Sequence, residues 1–259
     1  MTKLFQFKEW LKYQFIAENA YTIHSPFLYQ FWENVIKPAR KDTLYDTHIS
    51  SVFKELCKNN TYLKKQDLGT GKNTGHEQVS YIAKTSSVRP KFGHILHQLV
   101  KYFKPQIMIE LGTCLGISTL YMLHDFEGTH FYSIEGSPAR HNIAKSHLET
   151  LKKQNLILLQ NSFEKELPSV LAKHNTIDLI FIDGNHTFEA TQEYFTLFLP
   201  YMNEKSILVF DDIHWSKDML NVWEYIYQHP KVSLTIDVFQ LGICFFNSNV
   251  SKENKILRY

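Results

Sequence analysis

Two apolar runs in this chain end on acids with a histidine close behind. In "IDLIFIDGNH" the acid is Asp183 and the histidine His186; in "SILVFDDIHW" they are Asp211, Asp212 and His214. An imidazole at such a strand end can act as a general base toward a bound ligand. His186 and His214 are therefore the candidate bases, with Asp183 and Asp211 beside them. The same neighbour raises a histidine's pKa, which weakens it as a base near neutral pH. A second chemistry sits upstream, where "IMIELGTCLGISTLYML" reads as a strand, a turn carried by Gly112 and Gly116, and a helix. Such a turn lets backbone N–H groups approach a ligand, and the helix N-terminus adds its positive end. The G-x-x-x-G spacing lacks the middle glycine that makes room for a pyrophosphate in nicotinamide enzymes, and Cys114 stands in its place. Glu135 ends the following strand, where an acid can accept both ribose hydroxyls. These residues call for a nucleoside ligand without a pyrophosphate.

A similar glycine pattern in "DLGTGKNTG", Asp67 to Gly75, has no apolar strand before it and no apolar helix after it. It reads as a flexible turn within an exposed loop from Asn59 to Gln78, able to fold over the site as a lid. His94, His97, His141 and His147 show no ligand spacing. Trp215 either walls an aromatic substrate or packs the next helix, and packing is the preferred reading.

The elements that must position these residues change character near Gly93. Before it, Leu4, Phe7 (or Phe5), Leu11 and Phe15 recur at helical steps and predict one amphipathic helix. Ser25 and Pro26 open a second helix. Phe27, Tyr29, Phe31 and Trp32 make this segment aromatic, suited to the core and to capping a cofactor crevice. After Gly93, helices alternate with the apolar runs "QIMIEL", "HFYSIE", "LILLQ", "IDLIFID" and "SILVFDD", which predicts a mostly parallel sheet covered on both faces. "VSLTIDVF" and "GICFFN" then form an antiparallel hairpin. In a parallel sheet the ligand crevice lies outside the carboxyl ends of the strands, so the acids and the glycine turn are expected at one opening.

The 259 residues are 44% hydrophobic and 14% aromatic, enough for a sizeable core. A net charge of +2 and a pI near 8.3 give no reason to expect a nucleic-acid or membrane partner. The three cysteines, Cys57, Cys114 and Cys244, form no CxxC pair, which suits a reduced, cytoplasmic chain. No apolar run is long enough for a membrane span.

"IELGTCLGIST", "FYSIEGS", "LQNSFEKELPSVL", "DLIFIDGNH" and "ILVFDDIHW", in this order, resemble the strand-end motifs of class I S-adenosylmethionine-dependent methyltransferases. Among these the likeness is to the catechol and caffeoyl-CoA O-methyltransferase type. The resemblance covers roughly Lys91 to Asn247. It implies an α/β, Rossmann-like doubly wound sheet, mostly parallel with a C-terminal antiparallel hairpin, and an N-terminal helical extension. Residues 1–90 would form that cap and 91–259 the cofactor-binding domain. Glu110, Gly112, Thr113 and Gly116 would surround the methionine half of S-adenosylmethionine, and Ser118 would meet its carboxylate. Glu135 would hold the ribose, while Ser162 and Phe163 would flank the adenine; Ser162 also reads as a helix N-cap. Asp183 would serve both cofactor and chemistry. In the metal-dependent members an aspartate ends the fourth strand and an Asp-Asn pair the fifth; here Asp183, Asp211 and Asp212 stand at those places, with aspartate replacing asparagine. Their oxygens would suit Mg²⁺ or another hard divalent cation. The implied partner is a small hydroxylated acceptor, and a homodimer is among the allowed states. Two other readings are an NAD(P)-linked oxidoreductase and a non-catalytic cofactor-binding protein. Against the first stand the missing middle glycine and the lack of a Tyr-x-x-x-Lys pair in the crevice. Against the second stands the cost of burying uncompensated acids.

Overall fold

The computed structural model describes residues 2–19, 25–44, 48–64, 75–249 and 251–259. The chain opens with helices α1 (Thr2–Ile16) and α2 (Pro26–Phe31), a π-helical turn (Trp32–Ile36), then α3 (Lys37–Ala39) and α4 (His48–Lys58). Strands β1 (Tyr62–Lys64) and β2 (His76–Gln78) precede α5 (Val79–Ser86) and α6 (Pro90–Phe103). Alternation follows through β3 (Ile107–Leu111), α7 (Ile117–His124), β4 (His130–Glu135), α8 (Pro138–Leu148), β5 (Leu156–Gln160) and α9 (Phe163–Leu171). It continues through β6 (Leu179–Ile182), α10 (Phe188–Phe198), β7 (Ile207–Phe210) and α11 (Lys217–Gln228). The chain closes with β8 (Leu234–Asp237), β9 (Gly242–Phe245) and β10 (Glu253–Ile256). The architecture is mixed α/β with mostly parallel strand pairing.

The chain divides into two compact units, one of residues 1–33 and 174–259, the other of residues 34–173. The N-terminal segment is thus shared between them. In the second unit β3, β4 and β5 pair in parallel and in that order. Met108, Ile109 and Leu111 of β3 are fully buried, as befits a strand covered on both faces. Helix α6 begins with Pro90 at its first turn and buries Phe92, Ile95, Leu96, Leu99 and Val100, an apolar stripe at steps of three and four. It ends where Lys104 adopts a left-handed φ of 49°. Gly93 lets α6 lie directly on α7, because a Cβ there would sit 2.3 Å from Cε2 of the buried Tyr121 ring.

In the first unit the strand order is β10-β8-β9-β7-β6. β6 and β7 are parallel, and β9 runs antiparallel to both β7 and β8. The expected terminal hairpin is therefore present, and β10 extends it by pairing in parallel with β8.

Three expectations need correction. The first helix forms, but the predicted apolar stripe is not its buried face: Leu4, Phe7, Leu11 and Phe15 are exposed, Phe15 by 86%. The buried residue is Tyr13, whose hydroxyl donates to the Leu257 carbonyl at 2.5 Å and accepts from the Tyr259 N–H at 3.0 Å. Of the aromatic segment, Phe31 and Trp32 are buried as expected, whereas Tyr29 is exposed. The loop expected from Asn59 to Gln78 carries an antiparallel pair, β1 with β2; apart from Gly75, the Asp67–Gly75 stretch lies outside the described residues.

Candidate active site

In the second unit, β3 delivers Glu110 into a fully buried position. Three hydroxyls satisfy it: Ser118 donates to Oε1 at 2.5 Å, while Thr119 and Ser133 each donate to Oε2 at 2.6 Å. Thr113 Oγ1 lies 2.6 Å from Ser133 Oγ and joins the same network. A buried acid is tolerated on these terms. Glu110, Thr113 and Ser118, expected against the cofactor, thus have side chains engaged with one another. The Ser118 N–H lies in the first turn of α7, where helix geometry provides no intrahelical acceptor.

The turn between β3 and α7 has positive φ at Gly112 (105°), Cys114 (50°) and Gly116 (80°). The first and last values are the left-handed region that favours glycine. The N–H groups of Gly112 and Thr113 both donate to the Ile134 carbonyl, at 3.0 and 3.2 Å, and Gly116 N–H donates to Thr113 at 2.7 Å. Glu135, at the end of β4, fixes the turn from the other side: the Cys114 N–H donates to its Oε2 and the Ser137 N–H to its Oε1, each at 2.8 Å. Arg140, which the sequence reading missed, donates to Glu77 at 2.7 Å. Burial works against its charge, but the fields of Cys114, Glu135 and Glu77 outweigh that and hold its pKa above the ordinary value. Ser162 occupies the N-cap position of α9 without a side-chain cap bond, and Phe163 opens the helix half-buried.

In the first unit, β6 ends before Asp183 and β7 before Asp211, whose N–H donates to the Ile182 carbonyl at 2.9 Å. Asp211 is 4% exposed. Gln240 Nε2 reaches its Oδ2 at 3.4 Å, and its buried Oδ1 has no hydrogen-bond partner. Burial, then the charges of Asp183 and Asp212, push the Asp211 pKa well above the usual carboxylate range. Asp212 follows at a left-handed φ of 56°. His186 Nε2 lies 3.4 Å from Asp183 Oδ1, with 28% and 16% of the two side chains exposed. Burial opposes the imidazolium, but the Asp183 hydrogen bond and the charges of Asp183 and Asp212 prevail, so the His186 pKa is raised.

His214 is placed differently. Its Nε2 lies 2.7 Å from Asp237 Oδ2, its Nδ1 lies 3.7 Å from Glu9 Oε2, and its ring stacks on Phe239 at 5.1 Å. It is built into a network tying α1 to β8, while His186 is the more open of the two candidate bases. Trp215, preferred as a packing residue, is 49% exposed instead. Among the described residues, Asp183, Asp211 and Asp212 do not bring three ligand atoms within 4.8 Å of one another; the group that does is His97, His124 and Asp125. His97 shows no ligand spacing in the sequence because these neighbours come from the end of a different helix.

Residues 109–213 match a family model described as "Methyltransferase domain". An uncharacterized protein of Acanthamoeba polyphaga mimivirus is 25% identical over 145 residues, covering 49% of this chain and 62% of that protein. Another, from Sinorhizobium fredii, is 20% identical over 142 residues, covering 49% of this chain and 15% of its own length. The matches therefore span less than two thirds of either relative. An O-methyltransferase from Bacillus cereus, solved with SAH, superposes with a TM-score of 0.58 at 18% identity, over 78% of this chain and 94% of that one. The O-methyltransferase TomG from Streptomyces achromogenes, solved with SAM, gives 0.55 at 17% identity, over 63% and 82%. A putative caffeoyl-CoA O-methyltransferase from Staphylococcus aureus gives 0.56 at 15%, over 64% and 88%. At such identities these likenesses speak to the fold, and the family model speaks to the residues it matches. Residues 109–213 thus match a methyltransferase domain, carried by a fold like that of these solved O-methyltransferases.

Proposed function

We propose that the protein transfers the methyl group of S-adenosylmethionine to a hydroxyl oxygen of a small acceptor. The observation that carries this reading is the two-sided hold on Glu135, whose carboxylate at the end of β4 is fixed beside the glycine turn by the N–H groups of Cys114 and Ser137. The bent backbone from Gly112 to Gly116 and the first N–H groups of α7 fit the amino-acid end of the cofactor. Glu135 takes the ribose hydroxyls, and Ser162 with Phe163 flanks the adenine. When bound, the cofactor supplies a methyl group on a positively charged sulfur. The chain's task is to align an oxygen with that carbon and remove its proton. With Nε2 of His186 donating to Asp183, the ring's Nδ1 is the nitrogen left to accept the acceptor's proton. Asp183 then stabilises the imidazolium that forms.

A second reading is favoured by the partnerless Oδ1 of Asp211 beside two further carboxylates. A hard divalent cation such as Mg²⁺ suits this all-oxygen set, which supplies one or two protein ligands and leaves the remainder to water. Asp211, with Asp183 or Asp212 beside it, would hold it, and its chemistry would be to lower the pKa of the acceptor hydroxyl.

The test is incubation with S-adenosylmethionine and a panel of hydroxylated aromatics, with mass-spectrometric detection of methylated product. Turnover that survives EDTA removes the cation and leaves His186 as the base. Cofactor binding with no product across the panel would favour a non-catalytic role instead.

A further inference from the structure

The second unit holds a ligand set of a different chemical kind. His97 projects from α6, His124 is the last residue of α7, and Asp125 caps that helix. One ligand atom from each lies within 4.8 Å of the others. His97 is buried, and its Nδ1 lies 2.5 Å from Oδ2 of the equally buried Asp42. Asp42 is fixed in turn by Gln98 Nε2 at 2.7 Å and the Leu44 N–H at 2.8 Å. On the other side of the ring, Nε2 lies 3.0 Å from Asp125 Oδ2. His124 Nε2 stands 3.7 Å from Asp125 Oδ1, and the two imidazoles meet edge to face at 5.5 Å.

We propose that His97, His124 and Asp125 bind a divalent transition-metal ion of the Zn²⁺ class, with Asp42 as the positioning residue for His97. Two imidazoles and one carboxylate are a zinc-type donor set, and the fourth position of a tetrahedron is left to water. The 3.0 Å between His97 Nε2 and Asp125 Oδ2 is close to the roughly 3.3 Å edge of a tetrahedron with bonds of about 2.0–2.1 Å. The buried carboxylate on Nδ1 is the outer partner that metal-bound histidines use to fix ring orientation and tautomer, turning Nε2 toward the ion. Adjustment falls on His124, whose side chain is half exposed at a helix end. Lys101 Nζ, 3.5 Å from Asp125 Oδ2, is the competing cation, and its exposed side chain can swing into solvent when an ion arrives. The ion would join α6, which leads into β3, to α7, which follows the glycine turn, and so brace the cofactor-binding half of the molecule.

Full-length protein stripped of metal would be titrated with Zn²⁺ by calorimetry and heated at increasing free Zn²⁺, and its Co²⁺ form studied by visible absorption. The expected result is one ion per chain, a melting temperature that climbs with free Zn²⁺, and a Co²⁺ spectrum of low coordination number. His124→Ala, at an exposed helix end, should fold normally and lose the Co²⁺ spectrum. Asp42→Asn should weaken Zn²⁺ by about 10–100-fold, as outer-shell changes do. Asp211→Asn should leave binding intact, which separates this site from the acids of the other unit. Zn²⁺ binding unchanged in His124→Ala, or abolished in Asp211→Asn, would overturn the proposal, as would a wild-type protein that takes up no ion.

Discussion

Replacing Glu135 by glutamine changes one oxygen and one charge, and it separates the residue's part in holding the turn from its part in holding the ribose. In the native turn its carboxylate accepts from Cys114 and Ser137, both at 2.8 Å, with only 4% of the residue exposed. The amide keeps one acceptor oxygen and turns an NH₂ toward the other N–H, so one charge-assisted bond is lost and replaced by a donor facing a donor. Such a bond is worth about 1.5–3 kcal/mol. For a chain of this size that predicts a fall of about 3–12 °C in melting temperature. The ribose hydroxyls lose the same charged acceptor, so the affinity for S-adenosylhomocysteine should drop by roughly 10–150-fold, using 1.36 kcal/mol per tenfold. Thermal denaturation without ligand measures the first effect and calorimetric titration the second. A less stable variant that binds S-adenosylhomocysteine as the wild type does would leave Glu135 as a staple of the turn and refute its ribose role. A variant unchanged in both would refute the reasoning altogether.

Asp211→Asn tests the strain of the buried acid. Because its native pKa is raised, the folded protein keeps a proton that the unfolded chain releases above about pH 3.9. Wild-type stability from this group is therefore lost as pH rises, and the variant should gain on the wild type from pH 4 upward in urea titrations. Parallel pH curves would contradict the assignment. The raised pKa of His186 places the acid limb of turnover above about pH 6.5, since the ring must be neutral to accept a proton. Asp183→Asn should move that limb to lower pH and slow the reaction, and an unmoved limb would exclude His186 as the base. Gly93→Ala should destabilise by about 1–3 kcal/mol through overpacking against Tyr121, less up to about 1 kcal/mol regained in helix propensity. A variant more stable than the wild type in urea would show that α6 and α7 do not meet so tightly.

The parts legible in the sequence are those where burial alone decides. Strands β3, β4, β6 and β7 are covered on both faces, so they appear as unbroken apolar runs bounded by turn residues, and their order follows from alternation with helices. The parts that escape are those where polar partners decide. β10 reads "ENKI", an edge strand whose charged residues suppress the period-two signal while discouraging further pairing. Helix α1 is legible as a helix but not in its orientation. Its buried face carries Tyr13 and Glu9, whose partners Leu257, Tyr259 and His214 lie more than two hundred residues away in the chain. No local window contains that information. The same holds for His97, whose metal-type neighbours at positions 124 and 125 are brought close by packing of α6 on α7.

The sequence also treats alike two acids that the fold sets apart. Glu110 and Glu135 each end an apolar strand near the glycine turn, and both are expected at the cofactor. A carboxylate has about four lone-pair sites. Glu110 spends three of them on the hydroxyls of Ser118, Thr119 and Ser133 and is wholly buried, so its work is to hold β3, β4 and α7 in register beneath the turn. Glu135 accepts from backbone N–H groups of the segments that frame the turn. Glu110 is thus tied to side-chain hydroxyls of the scaffold, and Glu135 to the backbone of the turn itself. The distinguishing signal is present in the chain: hydroxyl residues at 118, 119 and 133 surround one acid and not the other. Its meaning depends on β4 lying beside β3, with Glu110 in register with Ser133, which is a fact of the fold.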